Sequence, residues 1–326
     1  MILNDTAQLS ELLAKTADEL DIPDHVYEDA TVKYEDVGEW LSADDSELKR
    51  YEPDIFVQGS FRLGTVVRPI HKTDEYDIDL VCHLGIRKES VTQAELKGMV
   101  GDRLGQRSDL AEILGSSRRC WVLENPSEPS LPAFHMDVLP AIPNLDRPPT
   151  GILLTDTDLR LWQKSNPRAY ADWFYDRMRP IFEARRIALA KEMAASVEDV
   201  PEWSVRTPLQ RAVQILKRHR DVYFQGKKDP KPISIIITTL AARAYEGETD
   251  VADALSNIVR SIRSNWGKPG FVENRNGQWW VENPVDDGEN FADKWNQYPE
   301  RRLAFEAWIE AVETDLGRAR EKQTIN

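Results

Sequence analysis

At 326 residues, 41% of them hydrophobic, the chain can fill one large core or two, and no apolar run in it is long enough to cross a bilayer. A formal net charge of -14 argues against a protein whose main work is gripping a long nucleic-acid backbone, and two cysteines, Cys82 and Cys120, exclude a disulfide framework or a four-cysteine zinc site. The opening MILNDTAQLSELLAK has no basic start, apolar middle and small-residue cleavage site, so a cytoplasmic location with no membrane partner is expected.

Residues 4–21 read as a helix capped by Asn4, Asp5 or Thr6, with Leu9, Leu12, Leu13 and Leu20 on one broad face, ended by Pro23. A second helical pattern covers 26–48, followed by a short strand at 54–58 and another at 75–84. Residues 90–114 look helical; 118–124 and 133–143 read as strands separated by the turn-rich NPSEPSLP. Ser165-Asn166-Pro167 opens a helix that runs to about 195, and VEDVPEWSVRTP then breaks the periodicity, which sets the expected lobe boundary. Helices follow at 208–224, 233–246, 250–264 and 299–322, with an Asn-Gly hairpin in FVENRNGQWWVENP between the last two. No internal repeat or low-complexity run is present.

The chemistry concentrates in QGSFRLGTVVRPIHKTDEYDIDL. On a strand, Glu75, Asp77 and Asp79 share one face while Tyr76, Ile78, Leu80 and Cys82 take the other. Carboxylates at this density repel, and a divalent cation offsets the repulsion; magnesium, a hard ion that bridges carboxylates to phosphates, suits them. Upstream, VQGSFRLG has the form of a strand that turns at Gly59 into a short helix, where Ser60 and backbone N–H groups could meet a phosphate beside Arg62, Arg68 and Lys72. A third strand, FHMDVLP, carries Asp137 among apolar neighbours. Together these predict a two-metal phosphoryl-transfer site. The five histidines, at 25, 71, 83, 135 and 219, show no zinc spacing and read as surface or core residues.

Gly59-Ser60, Asp77-Ile78-Asp79 and Asp137 resemble the signature of the polymerase-beta-like nucleotidyltransferase superfamily. Within it, QGSFRLGTVVRP, EYDIDLV, HMDVLPAIP, TPLQRAVQILKRHRDVYF and PISIIITTLAARAY resemble the bacterial second-messenger oligonucleotide or dinucleotide synthetases. These CD-NTases are relatives of cyclic GMP-AMP synthase and oligoadenylate synthase that serve in CBASS antiphage systems.

The resemblance spans roughly 50–300. It implies an α+β fold: N-terminal helices plus a mixed-sheet catalytic core over 1–200 and a helical lobe over 201–326 that closes the nucleotide cleft. By the same resemblance, Asp77 and Asp79 would hold two Mg2+ ions, with Mn2+ as the substitute, and Asp137 would complete the metal and catalytic set. Gln58, Gly59 and Ser60 would cradle the donor triphosphate, and Lys217 and Ser234 would contact it from the helical side. Ribonucleoside triphosphates, ATP and GTP among them, are the implied substrates, a cyclic di- or trinucleotide the product, and a separate effector protein its reader. The acidic charge and absence of a zinc module argue against activation by duplex DNA.

Read from the residues alone, Lys217 is an ordinary solvated helix charge and Ser234 a plain N-cap. Asn283, Pro284 and Asn290 read as a loop with a helix cap, and the pairs Trp279-Trp280 and Trp173-Phe174 as core. Two rival functions stay open. One is nucleotide transfer to RNA, a small molecule or a protein, for which KRHR (217–220) and KKDPK (227–231) could touch an RNA end. The other is a non-catalytic sensor of nucleotide or nucleic acid, against which the intact Asp77, Asp79 and Asp137 speak.

Overall fold

The protein is described by a computed structural model covering residues 2–71, 75–126, 133–156, 158, 162–226 and 230–323. Helix α1 (Ile2–Leu20) starts ahead of its expected caps at 4–6 and buries Leu9, Leu13, Ala17 and Leu20. Leu12, expected on that face, is instead exposed, because the seam follows the i, i+4 spacing. Helix α2 (Asp24–Ser42) follows Pro23 and buries Val26, Tyr27, Ala30, Val37 and Leu41. Strand β1 (Asp54–Gln58) runs into the single turn α3 (Gly59–Arg62), and β2 (Tyr76–His83) comes next.

Helix α4 (Gln93–Gly105) opens on a capping box in which Thr92 and Glu95 exchange side-chain and backbone hydrogen bonds. The stretch expected as one helix over 90–114 breaks at the extended Arg107, so that α5 (Ser108–Ile113) stands apart and β3 (Leu114–Ser116) follows. Strands β4 (Trp121–Asn125), β5 (Phe134–Pro143), β6 (Ile152–Leu154) and β7 (Gln163–Ser165) lead to α6 (Pro167–Glu192). Asn166 Oδ1 accepts the Ala169 N–H there, at 3.3 Å, and Pro167 takes the first helical position.

The rest is mainly helical: α7 (Pro208–Tyr223), capped by Thr207 and Gln210, α8 (Ser234–Ala244) and α9 (Val251–Ser264), capped by Asp250. The Asn-Gly hairpin is β8 (Glu273–Arg275) and β9 (Gln278–Trp280), with Asn276 and Gly277 both in the left-handed region at φ 54° and 88°. A second small ribbon, β10 (Glu282–Asn283) and β11 (Asp286–Asn290), precedes α10 (Asp293–Gln297) and α11 (Pro299–Gln323). Asn290 ties it down, its Oδ1 accepting the N–H groups of Val281 and Ala292 and its Nδ2 donating to the Trp279 carbonyl.

Strands β1 to β7 form one mixed sheet. Its main path runs β1-β2-β5-β4-β3, with β6 paired to β5 and β7 to β6. The β2–β5 pair is parallel and the others are antiparallel. Strand β2 alternates at its start, with Tyr76 and Ile78 buried and Asp77 exposed, then turns wholly apolar through Leu80, Val81 and Cys82. On the face that carries Asp77 and Asp79, the next inward residues belong to an apolar cluster of Val81, Cys120, Leu139, Ala141, Ile152 and Leu154. The carboxylates therefore sit where a core face opens toward solvent. Helix α2 packs on β1 and β2, and α4 on β5.

Packing divides the chain elsewhere than the expected 1–200 and 201–326. Residues Ile22–Ala171 form a sheet unit, while Met1–Asp21 joins Asp172–Asn326 in a helical unit. The physical reason is that α1 packs its leucine seam on α7, α9 and α11. Asp21 at its end accepts from Arg206 Nε and from Gln214 Nε2, the latter at 3.1 Å.

Candidate functional site

Within the sheet unit, strand register assembles six of the expected site residues. Gln58 pairs with Asp79 across β1 and β2, and Asp79 pairs with Asp137 across β2 and β5. Gly59 adopts φ +68°, and a Cβ built there would lie 2.3 Å from Asp79 Oδ2, so only glycine lets the turn approach the carboxylate this closely. The turn then closes through Leu63 N–H to the Gly59 carbonyl (3.2 Å) and Thr65 N–H to the Ser60 carbonyl (2.9 Å). This leaves the first N–H groups of α3 without an acceptor inside the helix. Arg62 is the last residue of that turn, and Lys72 lies outside the described residues.

The electrostatics are those of crowded acids. Burial, followed by repulsion from Asp137 and Asp77, pushes the Asp79 carboxyl from 3.8 up to about 6. Asp137 is raised as well, mainly by burial, with the Cys120 thiol and His135 opposing the shift. The same burial, with Asp137 beside it, lifts the Cys120 thiol to about 12, so at neutral pH Cys120 is a protonated donor to that carboxylate.

His135, read from the sequence as an ordinary surface or core histidine, turns out to belong to this cluster. It is the register partner of Asp77. Its Nε2 lies 2.7 Å from Asp77 Oδ1, and its Nδ1 lies 3.1 Å from Glu75 Oε2. Hydrogen bonding to Asp77 comes first among the causes that raise its pKa to about 9, so both ring nitrogens carry protons at neutral pH. Strand parity two residues before Asp137 is the signal that could have found it.

Oxygen donors that raise one another's pKa suit a hard divalent cation. Asp77, however, is engaged by His135, and among the described residues no group of three or more His, Cys, Asp or Glu side chains is preassembled to hold a metal ion. The donor chemistry fits magnesium, and Asp77 would need only its second oxygen, Oδ2, to join Asp79 and Asp137.

The other two expected residues, Lys217 and Ser234, lie in the helical unit. Lys217 is not a solvated helix charge: its residue is 6% exposed, and burial, with Arg220 beside it, lowers its pKa to about 7. Ser234 is the first residue of α8 and not its N-cap, which is Ile233. Its Oγ accepts from Arg220 Nη1 at 2.8 Å. Within KRHR, Arg220 is buried as well and His219 accepts from Trp308 Nε1 at 3.1 Å. Of KKDPK, 227–229 fall outside the described residues, and Lys231 pairs with Asp221 at 2.7 Å.

The burial of Lys217 makes a prediction. Its folded-state pKa of about 7 lies below the ordinary 10.5, so between these values the unfolded chain binds the extra proton and stability rises with pH. Without nucleotide, Lys217→Met should raise stability by about 2 kcal/mol or more at pH 6.5. The gain should shrink toward pH 10, and calorimetric melting at the two pH values checks it.

Comparison with known proteins identifies the family. The model of the Second Messenger Oligonucleotide or Dinucleotide Synthetase domain matches residues 8–177. The chain is 30% identical over 311 residues to a c-di-GMP synthase of Roseivirga ehrenbergii, covering 94% of this chain and 78% of that protein. It is 23% identical over 339 residues to the cyclic dinucleotide synthase CdnG of Bradyrhizobium diazoefficiens, covering 96% and 76%. The structure of the Bradyrhizobium CD-NTase CdnG in complex with GTP matches with a TM-score of 0.76 at 21% identity, over 96% of this chain and 92% of that one. The mixed sheet with flanking helices is thus the expected polymerase-beta-like core. With its two aspartate-bearing strands in register and a family match over more than half its length, the chain belongs to the Second Messenger Oligonucleotide or Dinucleotide Synthetases, the bacterial CD-NTases, and is a nucleotidyltransferase.

Proposed function

We propose that this enzyme joins two molecules of GTP into a cyclic dinucleotide in CBASS antiphage signalling, with magnesium as its cofactor and a separate effector protein reading the product. The observation that carries the reading is the register of β2 and β5, which sets Asp79 beside Asp137 with the Gly59 turn against Asp79. The choice of guanine is supported by the name of the Roseivirga relative, a c-di-GMP synthase at 30% identity. Cytoplasmic GTP fits the location expected from the sequence, and no helix among the described residues is long and apolar enough to cross a membrane.

In this reading Asp77, Asp79 and Asp137 hold the metal ions, which when bound supply charge stabilisation to the entering and leaving oxygens of an in-line displacement. Gln58, Gly59 and Ser60 receive the donor triphosphate. Asp137, whose burial raises its carboxyl above the ordinary aspartate value, accepts the proton of the attacking ribose hydroxyl. The new ribose O–P bond forms as the bond to pyrophosphate breaks. A second displacement within the linear product closes the ring.

The test is incubation of the purified protein with the four labelled ribonucleoside triphosphates and Mg2+ or Mn2+, then phosphatase treatment and mass spectrometry. The Asp77→Ala, Asp79→Ala double variant is run alongside. The expected result is a phosphatase-resistant species with the mass of two cyclised GMP units, missing from the variant. Label that enters only added RNA or protein would overturn the reading in favour of acceptor transfer. No incorporation with either ion would favour a non-catalytic sensor.

A further inference from the structure

Beside Asp77 and Asp79, Glu75 is an acid without a task. The metal reading uses Asp77, Asp79 and Asp137, while Glu75 stands one strand repeat before Asp77 on the same face. The parallel register places His135 opposite Asp77, and Glu75, 60 residues away in sequence, reaches the ring from the other side. We propose that Glu75 and His135 are positioning residues for Asp77, holding one of its carboxylate oxygens so that the other is presented to a metal ion. This rests on the reading of Asp77 as a metal ligand.

The three candidate ligands differ in how they are held. Asp79 is held beside the Gly59 turn, with Oδ2 2.3 Å from where a Cβ would stand, and Asp137 meets the Cys120 thiol. The side chain of Asp77 is 71% exposed, so packing does not choose its rotamer. The contact that orients it is His135 Nε2 to Oδ1 at 2.7 Å, which leaves Oδ2 uncommitted to the ring. An imidazole bound at one nitrogen can still swing about its Cβ–Cγ bond. Glu75 Oε2 at Nδ1, 3.1 Å away, removes that freedom and fixes which ring nitrogen faces Asp77. Ligating carboxylates held by such an outer hydrogen bond typically lose about ten- to a hundredfold in metal affinity when the partner is removed. The same contact could instead compete with the ion for Asp77, and the two possibilities predict opposite signs.

The experiment measures Mn2+ binding to the full chain with a nonhydrolysable GTP analogue, from the electron paramagnetic resonance signal of the free ion. Steady-state kcat and KM for GTP are read beside it. His135→Ala should weaken Mn2+ binding about tenfold and lower kcat more than it raises KM. His135→Gln, whose amide nitrogen can occupy the place of Nε2, should recover most of the binding. Glu75→Ala should have a smaller effect in the native background and none in His135→Ala, because its action passes through the ring. Unchanged or tighter Mn2+ binding in His135→Ala, no recovery in a folded His135→Gln, or additive effects of the two alanines would overturn the proposal. Asp77→Asn separates it from the reading beneath: if that variant binds Mn2+ normally, Asp77 is not a ligand and the metal assignment fails with the relay. If it loses binding while His135→Ala does not, only the relay fails.

Discussion

Asp79→Asn should reduce nucleotidyl transfer by a factor on the order of 10³ or more while making the protein without metal more stable at neutral pH. Both effects have one origin. Asp79 is crowded by Asp137 and Asp77 and desolvated by the sheet, so its carboxyl in the folded protein holds its proton up to about 6, against 3.8 for a free side chain. Between these values the folded chain binds a proton that the unfolded chain has lost. The resulting stabilisation is complete below about pH 4 and is lost as pH rises through 6, leaving the folded state to carry a repelled charge. An amide of the same shape carries none. In EDTA the variant should gain about 1–2 kcal/mol at pH 7.5 and nearly nothing at pH 4, measured by thermal or urea unfolding. A variant that loses stability at pH 7.5 would mean that the Asp79 charge is already compensated in the folded protein. A variant that keeps its activity would remove Asp79 from the metal set.

Gly59→Ala should be nearly as damaging to activity for a different reason. The new methyl would sit 2.3 Å from Asp79 Oδ2 and 3.3 Å from its Cγ, on a backbone at φ +68°. The left-handed conformation costs a non-glycine residue about 1–2 kcal/mol. The clash itself is cheaply relieved in stability, because the atom that must move is the end of a short side chain. It is expensive in function, because that atom is the carboxylate oxygen the chemistry needs. Activity should fall on the order of 100-fold with secondary structure intact by circular dichroism. Gly277→Ala is the control: its φ is +88° but nothing lies within 4 Å of the added methyl, so it should show the backbone cost with little loss of activity. Equal loss from the two variants would mean that backbone strain, and not displacement of Asp79, is responsible.

Much of the local structure was legible because local chemistry dictates it. Asn276-Gly277 demands a tight hairpin, Asn166-Pro167 starts a helix, and alternation of acids and apolar residues in YDIDL makes a half-buried strand. The acids at 77, 79 and 137 with the glycine turn at 59 were likewise enough to expect a phosphoryl-transfer site, and their resemblance to a known family's signature implied nucleotidyl transfer.

Other features exist only through pairing and packing. Strands β3, β6 and β7 are three residues each, too short for a periodicity and defined only by the neighbour they hydrogen-bond. A lysine in a basic run such as KRHR looks solvated until α7 is packed among its neighbours and Lys217 proves buried. Helix α1 reads as the natural start of the sheet unit, but its leucine seam finds its partners on α7, α9 and α11. His135 joined the site only because parallel pairing of β2 with β5 set it opposite Asp77, and register between strands so distant in sequence is a property of the sheet and of neither strand. The amino-acid sequence by itself determined which chemical groups the protein carries and which local elements present them. The tertiary structure decided which groups meet, since contact across distant segments depends on register and burial that no local pattern encodes.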